Sequence, residues 1–390
     1  MNETTSQSDV IVLGAGMAGA SLAAELAEKR TVTLLEIEDQ PGRHATGRSA
    51  AMFIESYGNE TIRALTRTSR SFLAAPPAGF AEVPLLTPRA SLVIANTESL
   101  QILDRIHAEA RYGASLLRLD SAAALAMVPI LRAEAAAGAL LDPSGRDIDV
   151  AALLQAYLRV ARHSGARLIM GAAELDIRRE GGLWHVQSRV GTFRAPLLVN
   201  ATGAWADQVA AMVGAKAIGL KPMRRTALTV AAPVGCDVRR WPAVIDAHES
   251  FYFKPETGQL LLSPANEDLM DPCDAMPEEL DVAIAVDRFE RATTMRVQRV
   301  VHRWAGLRSF VADRTPVVGF DPRVEGFFWL AAQGGYGIQA APALARTAVA
   351  LITGRALPPD IQAEGVAVKA LDPARLALGP EMTHAWPGVQ

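Results

Sequence analysis

The sequence predicts a mixed α/β and α+β fold, in which a Rossmann-type dinucleotide-binding domain carries an inserted domain built on an antiparallel sheet. A β-branched run at Val10–Leu13, a glycine-rich turn, a helical pattern over residues 20–29 and a second strand pattern at 31–35 form a βαβ unit. Such a unit requires a parallel sheet. Between residues 221 and 308, alternating strand patterns surround one helical pattern at 278–293, which is typical of an antiparallel sheet.

Buried-strand patterns return at residues 197–200, 316–320 and 327–331, and a helical pattern follows at 337–353. Parallel-type strands therefore lie on both sides of the alternating region, and the nucleotide-binding domain is predicted to be discontinuous. We assign it residues 1–80, 141–219 and 312–366. The inserted substrate domain takes residues 81–140 and 220–311, and residues 367–390 form a C-terminal tail.

The composition is that of an ordinary globular protein, with 50% hydrophobic residues, 21% charged residues and a formal net charge of −3 over 390 residues. This charge balance does not indicate a nucleic-acid-binding protein. The two cysteines, Cys236 and Cys273, form no CxxC pair, which favours a reducing compartment and predicts no metal site. The polar first nine residues lack a signal-peptide core, and no apolar run could form a transmembrane segment. We expect a cytoplasmic protein, and peripheral contact with the inner membrane stays open as an alternative.

The glycine-rich turn predicts a bound dinucleotide. In the pattern Gly14-x-Gly16-x-x-Gly19, the first glycine allows a tight turn, the second lets the backbone approach a pyrophosphate, and the third lets helix and strand pack closely. The helix N-terminus offers free N–H groups to phosphate. Glu36 lies 22 residues after Gly14, at the end of the second strand, where it can accept hydrogen bonds from ribose hydroxyls.

The turn alone does not distinguish NAD from FAD, but three further segments favour FAD. They are the small and polar stretch at 42–51, the strand end at 199–205, and the glycine-rich turn at 333–338. A second helix N-terminus after that turn would stabilise the anionic end of a reduced flavin. Contact points scattered along the chain suit the longer cofactor, so the α/β domain is predicted to be an FAD-binding domain.

Seven segments carry a resemblance to a known family. Residues 14–16, 46–51, 142–149, 223–225, 250–252, 304–313 and 332–339 resemble the FAD-dependent D-amino-acid oxidase and glycine-oxidase family, with most similarity to bacterial FAD-dependent D-arginine dehydrogenases. The resemblance implies oxidation of an amino acid to an imino acid by hydride transfer from Cα to flavin N5, after which water yields a 2-oxo acid and ammonia. It also implies non-covalent FAD, because neither cysteine lies in a flavin segment. The expected cofactor contacts are Gly14, Gly16, Gly19, Glu36, Ser49, Ala50, Leu175, Gly203, Trp205, Gly334, Tyr336, Gly337 and Ile338.

The substrate carboxylate needs a paired cation in a dry site. The resemblance assigns that role to Arg308 and Arg225, with Tyr252 and Tyr57 as hydroxyl donors and the Gly335 carbonyl as acceptor for the substrate amine. Side chains alternate along a strand, so Arg224 is expected to face solvent.

The expected side-chain pocket departs from the arginine-specific pattern. It consists of Met52, Ser91, Ala243 and Ile245, where the arginine-specific enzymes have a histidine at the position of Met52 and a glutamate at that of Ser91. A pocket without a buried acid disfavours a cationic side chain, which predicts a small amino acid with a neutral or apolar side chain. Asp246 is a candidate replacement for the negative charge of that missing glutamate, so activity on a cationic side chain stays open.

The electron acceptor and three alternative functions stay open. The arginine-specific relatives are dehydrogenases, which favours a quinone or carrier as acceptor. An oxidase is possible, with Lys254 as the only lysine beside a predicted pocket residue. The alternatives are an N-methyl amino acid (sarcosine-like) or glycine oxidase, and a non-catalytic flavin-binding redox sensor. A nicotinamide dehydrogenase without flavin is a third, less favoured one.

Overall fold

The computed structural model describes residues 5–109 and 116–377. Within those ranges, the strands in chain order are β1 (Thr5–Gln7), β2 (Val10–Leu13), β3 (Val32–Leu35), β4 (Met52–Phe53), β5 (Leu86–Pro88), β6 (Ser91–Ala95), β7 (Leu117–Asp120), β8 (Gly138–Asp142), β9 (Arg146–Ile148), β10 (Arg167–Ile169), β11 (Asp176–Glu180), β12 (Leu183–Ser188), β13 (Gly191–Ala195), β14 (Leu197–Asn200), β15 (Lys221–Ala231), β16 (Ala243–Asp246), β17 (Tyr252–Glu256), β18 (Gln259–Ser263), β19 (Asp268–Leu269), β20 (Val300–Phe310), β21 (Val317–Phe320) and β22 (Phe327–Ala331). The α-helices are α1 (Met17–Ala27), α2 (Glu60–Ala74), α3 (Leu100–Glu109), α4 (Ser121–Met127), α5 (Val150–His163), α6 (Ala206–Met212), α7 (Glu279–Ala292), α8 (Ala341–Ile352), α9 (Pro359–Ala363) and α10 (Val368–Leu371).

A six-stranded sheet in the order β10-β3-β2-β14-β22-β21 forms the centre of the nucleotide-binding part. Its strands are parallel except at the β21–β22 edge. In β2, Val10 and Val12 pack into the core that holds α1, α5 and α8, whereas Ile11 and Leu13 pack into a second core on the opposite face. Both faces of the sheet are therefore covered, as is expected of a parallel sheet.

The second large sheet has nine strands, in the order β19-β15-β18-β17-β16-β6-β8-β7, with β20 also paired to β15. Its pairs are antiparallel except β16–β6. The two longest strands, β15 and β20, pair along most of their length and bring two distant segments into one register. A four-stranded sheet, β1-β13-β12-β11, and a three-stranded sheet, β4-β9-β5, complete the fold.

The predicted fold class is confirmed. The six-stranded sheet takes its strands from the three segments predicted for the nucleotide-binding domain, and the nine-stranded sheet takes its strands from the two segments predicted for the inserted domain, with β8 continuing to Asp142. The boundaries themselves stay a prediction. Residues 1–4 and 110–115, and residues 378–390 of the predicted tail, lie outside the described residues.

One predicted helix start is wrong. The helical pattern was expected to begin at Gly337, but residues 334–340 form consecutive turns and α8 begins at Ala341. Gly334 has a φ of +52°, which a helix does not accommodate, while Pro342 in the first turn of α8 favours a helix start there. The glycine-rich turn is therefore not itself a helix N-terminus. Among the described residues, no helix combines the length and the hydropathy needed to cross a bilayer.

Candidate active site

A cavity of about 550 Å³ extends from the carboxyl ends of β2, β3, β14 and β22 to the face of the nine-stranded sheet at β15 and β20. This is the edge of a parallel sheet where nucleotide ligands bind. The predicted site residues that line the cavity are Gly14, Gly16, Glu36, Ser49, Ala50, Leu175, Gly203, Trp205, Arg225, Tyr252, Arg308, Gly334, Gly335, Gly337 and Ile338.

The turn after β2 has the shape that a pyrophosphate requires. Gly14 has a φ of +96°, and a Cβ atom there would lie 2.6 Å from the carbonyl oxygen of Ala201. A Cβ at Gly19 would lie 1.9 Å from the carbonyl oxygen of Gly14, so Gly19 serves helix packing and does not line the cavity. The N-cap residue of α1, Gly16, makes no side-chain cap, which leaves N–H groups of the first helical turn available to an anion.

Glu36 is buried at the end of β3 and braces this turn. Its Oε2 atom accepts a hydrogen bond from the Ala15 N–H at 2.7 Å, and its Oε1 atom accepts one from the Glu38 N–H at 3.1 Å. Each carboxylate oxygen has a second acceptor direction, and Glu36 lines the cavity. The side chain can therefore hold the turn and accept from a ribose hydroxyl together.

The three segments that favoured FAD all reach this cavity, through residues 42–50, 201–205 and 332–338. In the last segment, the Nε2 atom of Gln333 is buried and has no hydrogen-bond partner among residues 5–109 and 116–377. A Cβ at Gly337 would lie 2.6 Å from the other amide atom, Oε1 of Gln333, so this glycine makes room for the amide. An unpaired donor at the cavity wall fits the hydrogen-bond acceptors of a flavin ring, and the glycine cradle fits its pyrophosphate.

Two arginines face the cavity from neighbouring strands. Arg308 on β20 lies opposite Met223, and Arg225 on β15 lies opposite Gly306, so the two arginines are diagonal neighbours on one face of the sheet. A Cβ at Gly306 would lie 3.2 Å from the Cβ atom of Arg48, so this glycine makes room for the Arg48 side chain. Tyr252 on β17 is buried and lines the same cavity.

The expectation that Arg224 faces solvent is wrong. Alternation does turn it away from the cavity, but helix α7 covers that face, and Arg224 is buried. It forms ion pairs with Glu278, with Asp281 at 3.1 Å and with Asp268 at 3.3 Å. A buried guanidinium needs such partners, and the acids that supply them lie 44 to 57 residues away in the sequence.

The two cavity arginines differ in their partners. Arg225 donates from Nε to the Asn266 carbonyl at 2.8 Å and from Nη2 to Glu267 Oε1 at 3.0 Å. Burial and the nearby charge of Arg308 lower the pKa of Arg225. The Arg308 side chain has no hydrogen bond or ion pair with any residue in the described part of the chain. Its guanidinium carbon lies 2.9 Å from the position that a Cβ at Gly335 would occupy.

Tyr57 and Tyr336 lie next to the cavity without lining it. Their rings are 5.2 Å apart, and the Tyr57 hydroxyl lies 3.5 Å from Glu249 Oε2. Burial, reinforced by the charge of Glu249, raises the pKa of Tyr57, so its hydroxyl stays protonated and able to donate. Tyr57 packs with Ile62, Met223 and Phe310 beside the arginine pair.

The four residues expected to form the side-chain pocket are not part of the cavity wall. Met52 and Ile245 pack against Tyr252 in one apolar cluster behind that wall. Ser91 and Ala243 are buried neighbours across β6 and β16. Asp246 accepts hydrogen bonds from the His248 and Ser250 N–H groups and from the Ser250 hydroxyl.

Several cavity residues had no predicted role. Arg48 lines the cavity and donates to the carbonyls of Ala275 and Ala305 at 2.8 and 2.9 Å. It stands within the quoted 46–51 segment, so a signal was present. Cys273 also lines the cavity, although it stands outside the three segments that favoured FAD. Lys254 is buried and paired with Asp147 and Glu256, and it does not line the cavity.

Comparisons with known proteins agree with this geometry. The family model described as "FAD dependent oxidoreductase" (DAO) matches residues 9–351. Glycine oxidase of Geobacillus kaustophilus is 26% identical over 357 residues, which cover 87% of this chain and 91% of that protein. Human mitochondrial dimethylglycine dehydrogenase is 30% identical over 140 residues, or 35% of this chain and 16% of that protein.

The crystal structure of the Geobacillus kaustophilus glycine oxidase superposes with a TM-score of 0.80 at 24% identity, covering 93% of this chain and 99% of that one. The two proteins therefore share a fold over nearly their whole lengths. With the family model spanning the glycine-rich turn, both arginines and the 333–338 turn, the chain belongs to the DAO family of FAD-dependent oxidoreductases, and FAD is its cofactor.

Proposed function

We propose that the protein oxidises the Cα–N bond of an amino acid, and that a D-amino acid with a neutral or apolar side chain is the preferred substrate. The observation that carries the proposal is the Arg308 guanidinium, which faces the cavity and has no anionic partner within the described ranges. An enclosed cation of this kind is stabilised by a carboxylate that it can grip with two parallel hydrogen bonds. An α-amino acid brings that carboxylate next to the carbon to be oxidised.

The proposed roles follow from position. Arg308 binds the carboxylate, and Arg225, which is paired with Glu267, lies beside it on the adjacent strand. Tyr252 and Tyr57 supply hydroxyl donors, while the Gly335 carbonyl accepts a hydrogen bond from the amine and so orients it. Bound FAD supplies the two-electron acceptor for the hydrogen on Cα. Contacts to both the carboxylate and the amine fix the orientation of the Cα atom between them, which favours its oxidation. The product is an imino acid, which water converts to a 2-oxo acid and ammonia.

The side-chain preference rests on what surrounds Tyr252. Met52 and Ile245 are the neighbours of Tyr252 behind the wall, and Asp246 is engaged by the 248–250 loop. A cationic side chain would find the Asp246 carboxylate already engaged, and that acid would not compensate the cost of its desolvation. We therefore expect weak activity on D-arginine and D-lysine.

Glycine and N-methyl amino acids form the alternative substrate class. The similar Geobacillus kaustophilus protein is named glycine oxidase and the similar human protein is named dimethylglycine dehydrogenase. Both substrates carry the same carboxylate and would use Arg308 in the same way, so the arginine pair does not separate the two classes.

A panel of substrates separates them. The purified FAD-loaded protein is mixed anaerobically with D-, L- and N-methyl amino acids and glycine, and loss of the flavin's visible absorption is followed. We expect neutral D-amino acids to give the highest rate of reduction. D-arginine ranking first would contradict the proposed side-chain preference. Formaldehyde release from sarcosine at the highest kcat/KM would assign the N-methyl class. If no amine bleaches the flavin, the protein is a flavin-binding redox sensor instead.

We further propose that a quinone or protein carrier, rather than oxygen, accepts the electrons. The proposal rests on the lack of a lysine whose positive charge would assist the reaction of reduced flavin with oxygen. No lysine occurs among the residues that line the cavity in the described part of the chain. Lys254, which lies on the same strand as Tyr252, is paired with two acids. Stopped-flow mixing of the reduced protein with air-saturated buffer tests this. We expect slow reoxidation that an added quinone accelerates. A fast second-order reaction with oxygen would make the enzyme an oxidase.

Gly335→Ala should weaken substrate binding while leaving the cofactor in place. The new Cβ would lie 2.9 Å from the Arg308 guanidinium carbon, and the flexible end of that side chain must move to admit it. We expect kcat/KM to fall about tenfold, equivalent to about 1.4 kcal/mol, with normal FAD content. Gly182→Ala controls for a general loss of stability, because its φ of +81° strains an alanine while a Cβ there meets no atom within 4 Å. An unchanged kcat/KM in Gly335→Ala would show that Arg308 does not need its present position.

A further inference from the structure

An anion that the proposed reaction does not use lies behind the arginine pair of the cavity, Arg225 and Arg308. Glu267 lies between β18 and β19, and its side chain is 29% exposed. Its Oε1 atom accepts hydrogen bonds from Arg225 Nη2 at 3.0 Å and from Arg314 Nη2 at 2.8 Å. Its Oε2 atom accepts one from Arg314 Nη1 at 2.9 Å. Glu267 thus links Arg225 of the arginine pair to Arg314.

Contacts on the far side hold this carboxylate in place. The two-pronged pairing with Arg314 fixes both oxygens, and the Arg314 guanidinium carbon lies 3.8 Å from the centre of the Phe310 ring. Phe310 is the last residue of β20, two positions after Arg308. Burial would raise the pKa of the Glu267 carboxyl, but Arg314, Arg225 and Arg308 outweigh that effect and lower the pKa. Glu267 is therefore a carboxylate at neutral pH.

The charges around Arg308 sum to a small positive value. Among the described residues, the charged groups that act most strongly on the arginine pair and on Tyr57 and Tyr336 are Arg225, Arg308, Arg314, Glu267 and Glu249. Three positive and two negative groups leave a net charge of +1. One substrate carboxylate neutralises that charge. A second carboxylate would enter a region that is already neutral, and the nearby negative charge of Glu267 would disfavour it.

We propose that Glu267 is a positioning residue that selects substrates by charge, because it neutralises Arg225 and leaves Arg308 as the single cation for a monocarboxylate. The substrate class is thus an amino acid with one carboxylate, and amino acids with an acidic side chain or an N-carboxymethyl group are disfavoured. The proposal rests on the function proposed above and narrows it. Glu267 acts through Arg225, and it does not itself line the cavity.

Two non-reactive ligands of equal carbon number test the proposal without turnover. Butanoate and succinate are titrated into the FAD-loaded full chain, and perturbation of the flavin's visible absorption gives each Kd. In the unmodified protein, butanoate should bind more tightly than succinate. In Glu267→Gln, which keeps the shape of the side chain but removes its charge, the ratio of Kd for butanoate to Kd for succinate should rise about tenfold.

The controls separate charge selection from damage to the fold. Asp287→Asn removes one negative charge from an exposed i,i+4 pair with Arg291 on α7, and it should leave the ratio unchanged. Glu267→Asp retains the charge, and should stay within about twofold of the original ratio even if both affinities fall. If Glu267→Gln does not fold with FAD, Glu267→Asp serves as the test. A tenfold shift in its ratio of Kd for butanoate to Kd for succinate would contradict selection by charge.

The outcomes distinguish the two proposals. If neither ligand perturbs the flavin of the unmodified protein or competes with substrate, the carboxylate site at Arg308 is wrong and the proposed function fails with it. If both ligands bind but Glu267→Gln leaves their ratio unchanged, the carboxylate site stands and the role of Glu267 is overturned. A ratio that shifts equally in Asp287→Asn would also overturn it.

Discussion

Replacing Arg308 with alanine should lower kcat/KM for the best amino acid by about a thousandfold, while the purified protein keeps its FAD. The guanidinium faces the cavity with no anionic partner in residues 5–109 and 116–377, so its binding energy is available to the substrate. Removing one member of an enclosed charge pair costs about 2–5 kcal/mol, and 4 kcal/mol corresponds to about three orders of magnitude. Steady-state kinetics and the flavin content of the same preparation provide the measurement.

Two further variants make this prediction specific. Arg308→Lys keeps the positive charge but loses the two-pronged geometry, and should recover only part of the lost kcat/KM. Arg303 is an arginine of the same strand that pairs with Glu279 at the surface, so Arg303→Ala should retain the original kinetics. If Arg308→Ala and Arg303→Ala had equal kcat/KM values, the assignment of Arg308 to the substrate carboxylate would be wrong.

Gly14→Ala should give a protein that purifies without its yellow colour. Gly14 has a φ of +96°, which costs a non-glycine residue about 1–3 kcal/mol. A Cβ there would also lie 2.6 Å from the backbone oxygen of Ala201, and backbone cannot move aside as a side chain can. Relief of the collision must displace the turn that holds the pyrophosphate. We expect FAD affinity to fall by at least about a hundredfold, equivalent to about 2.7 kcal/mol, as measured by titration of FAD into the apoprotein.

Gly258→Ala is the matched control for this variant. Gly258 has a φ of +78° in the hairpin between β17 and β18, and a Cβ there meets no atom within 4 Å. It carries a similar backbone penalty without a collision and lies away from the cavity. The control should lose a comparable amount of stability in thermal unfolding and keep full FAD content. Equal FAD affinity in the two variants would contradict the role of the Gly14 turn.

The nucleotide-binding part could be predicted from sequence because its signals are local. The strand Val10–Leu13, the turn at Gly14 and the acid at Glu36 all fall within 27 residues, and each is required by the same βαβ geometry. The strands at residues 197–200 and 327–331 were also predicted with the bounds that the structure has, because a strand buried on both faces is a continuous apolar run.

The substrate end was less predictable because its contacts join distant segments. Strand β20, which carries Arg308, was not predicted as a strand, and its eleven residues gain regular structure by pairing with β15. Helix α2 was not predicted either. Its start is fixed by Asn59, which accepts from the Ile62 N–H, and its buried Thr66 accepts from Gln339. No short-range pattern contains such pairs.

The burial of Arg224 and the ion pairs of Glu267 were not predicted for the same reason, because they depend on contacts between distant segments. Alternation along β15 correctly separated Arg224 from Arg225, but it could not show that helix α7 would cover the outer face. Glu267 and Arg314 are 47 residues apart, and neither stands in a motif that marks it as part of the site. Local patterns therefore predicted the turn at Gly14 and the acid beside it, whereas the electrostatic environment of the arginine pair required the assembled sheet.

The central claim is that Arg308 holds a carboxylate so that the adjacent carbon can be oxidised. It is tested most directly by comparing an amino acid with the amine that lacks only the carboxylate, such as D-norvaline and butylamine, in anaerobic reduction of the bound flavin. We predict rapid bleaching by the amino acid and none by the amine, and that Arg308→Ala abolishes the difference. Bleaching by butylamine at the rate of D-norvaline would contradict the account.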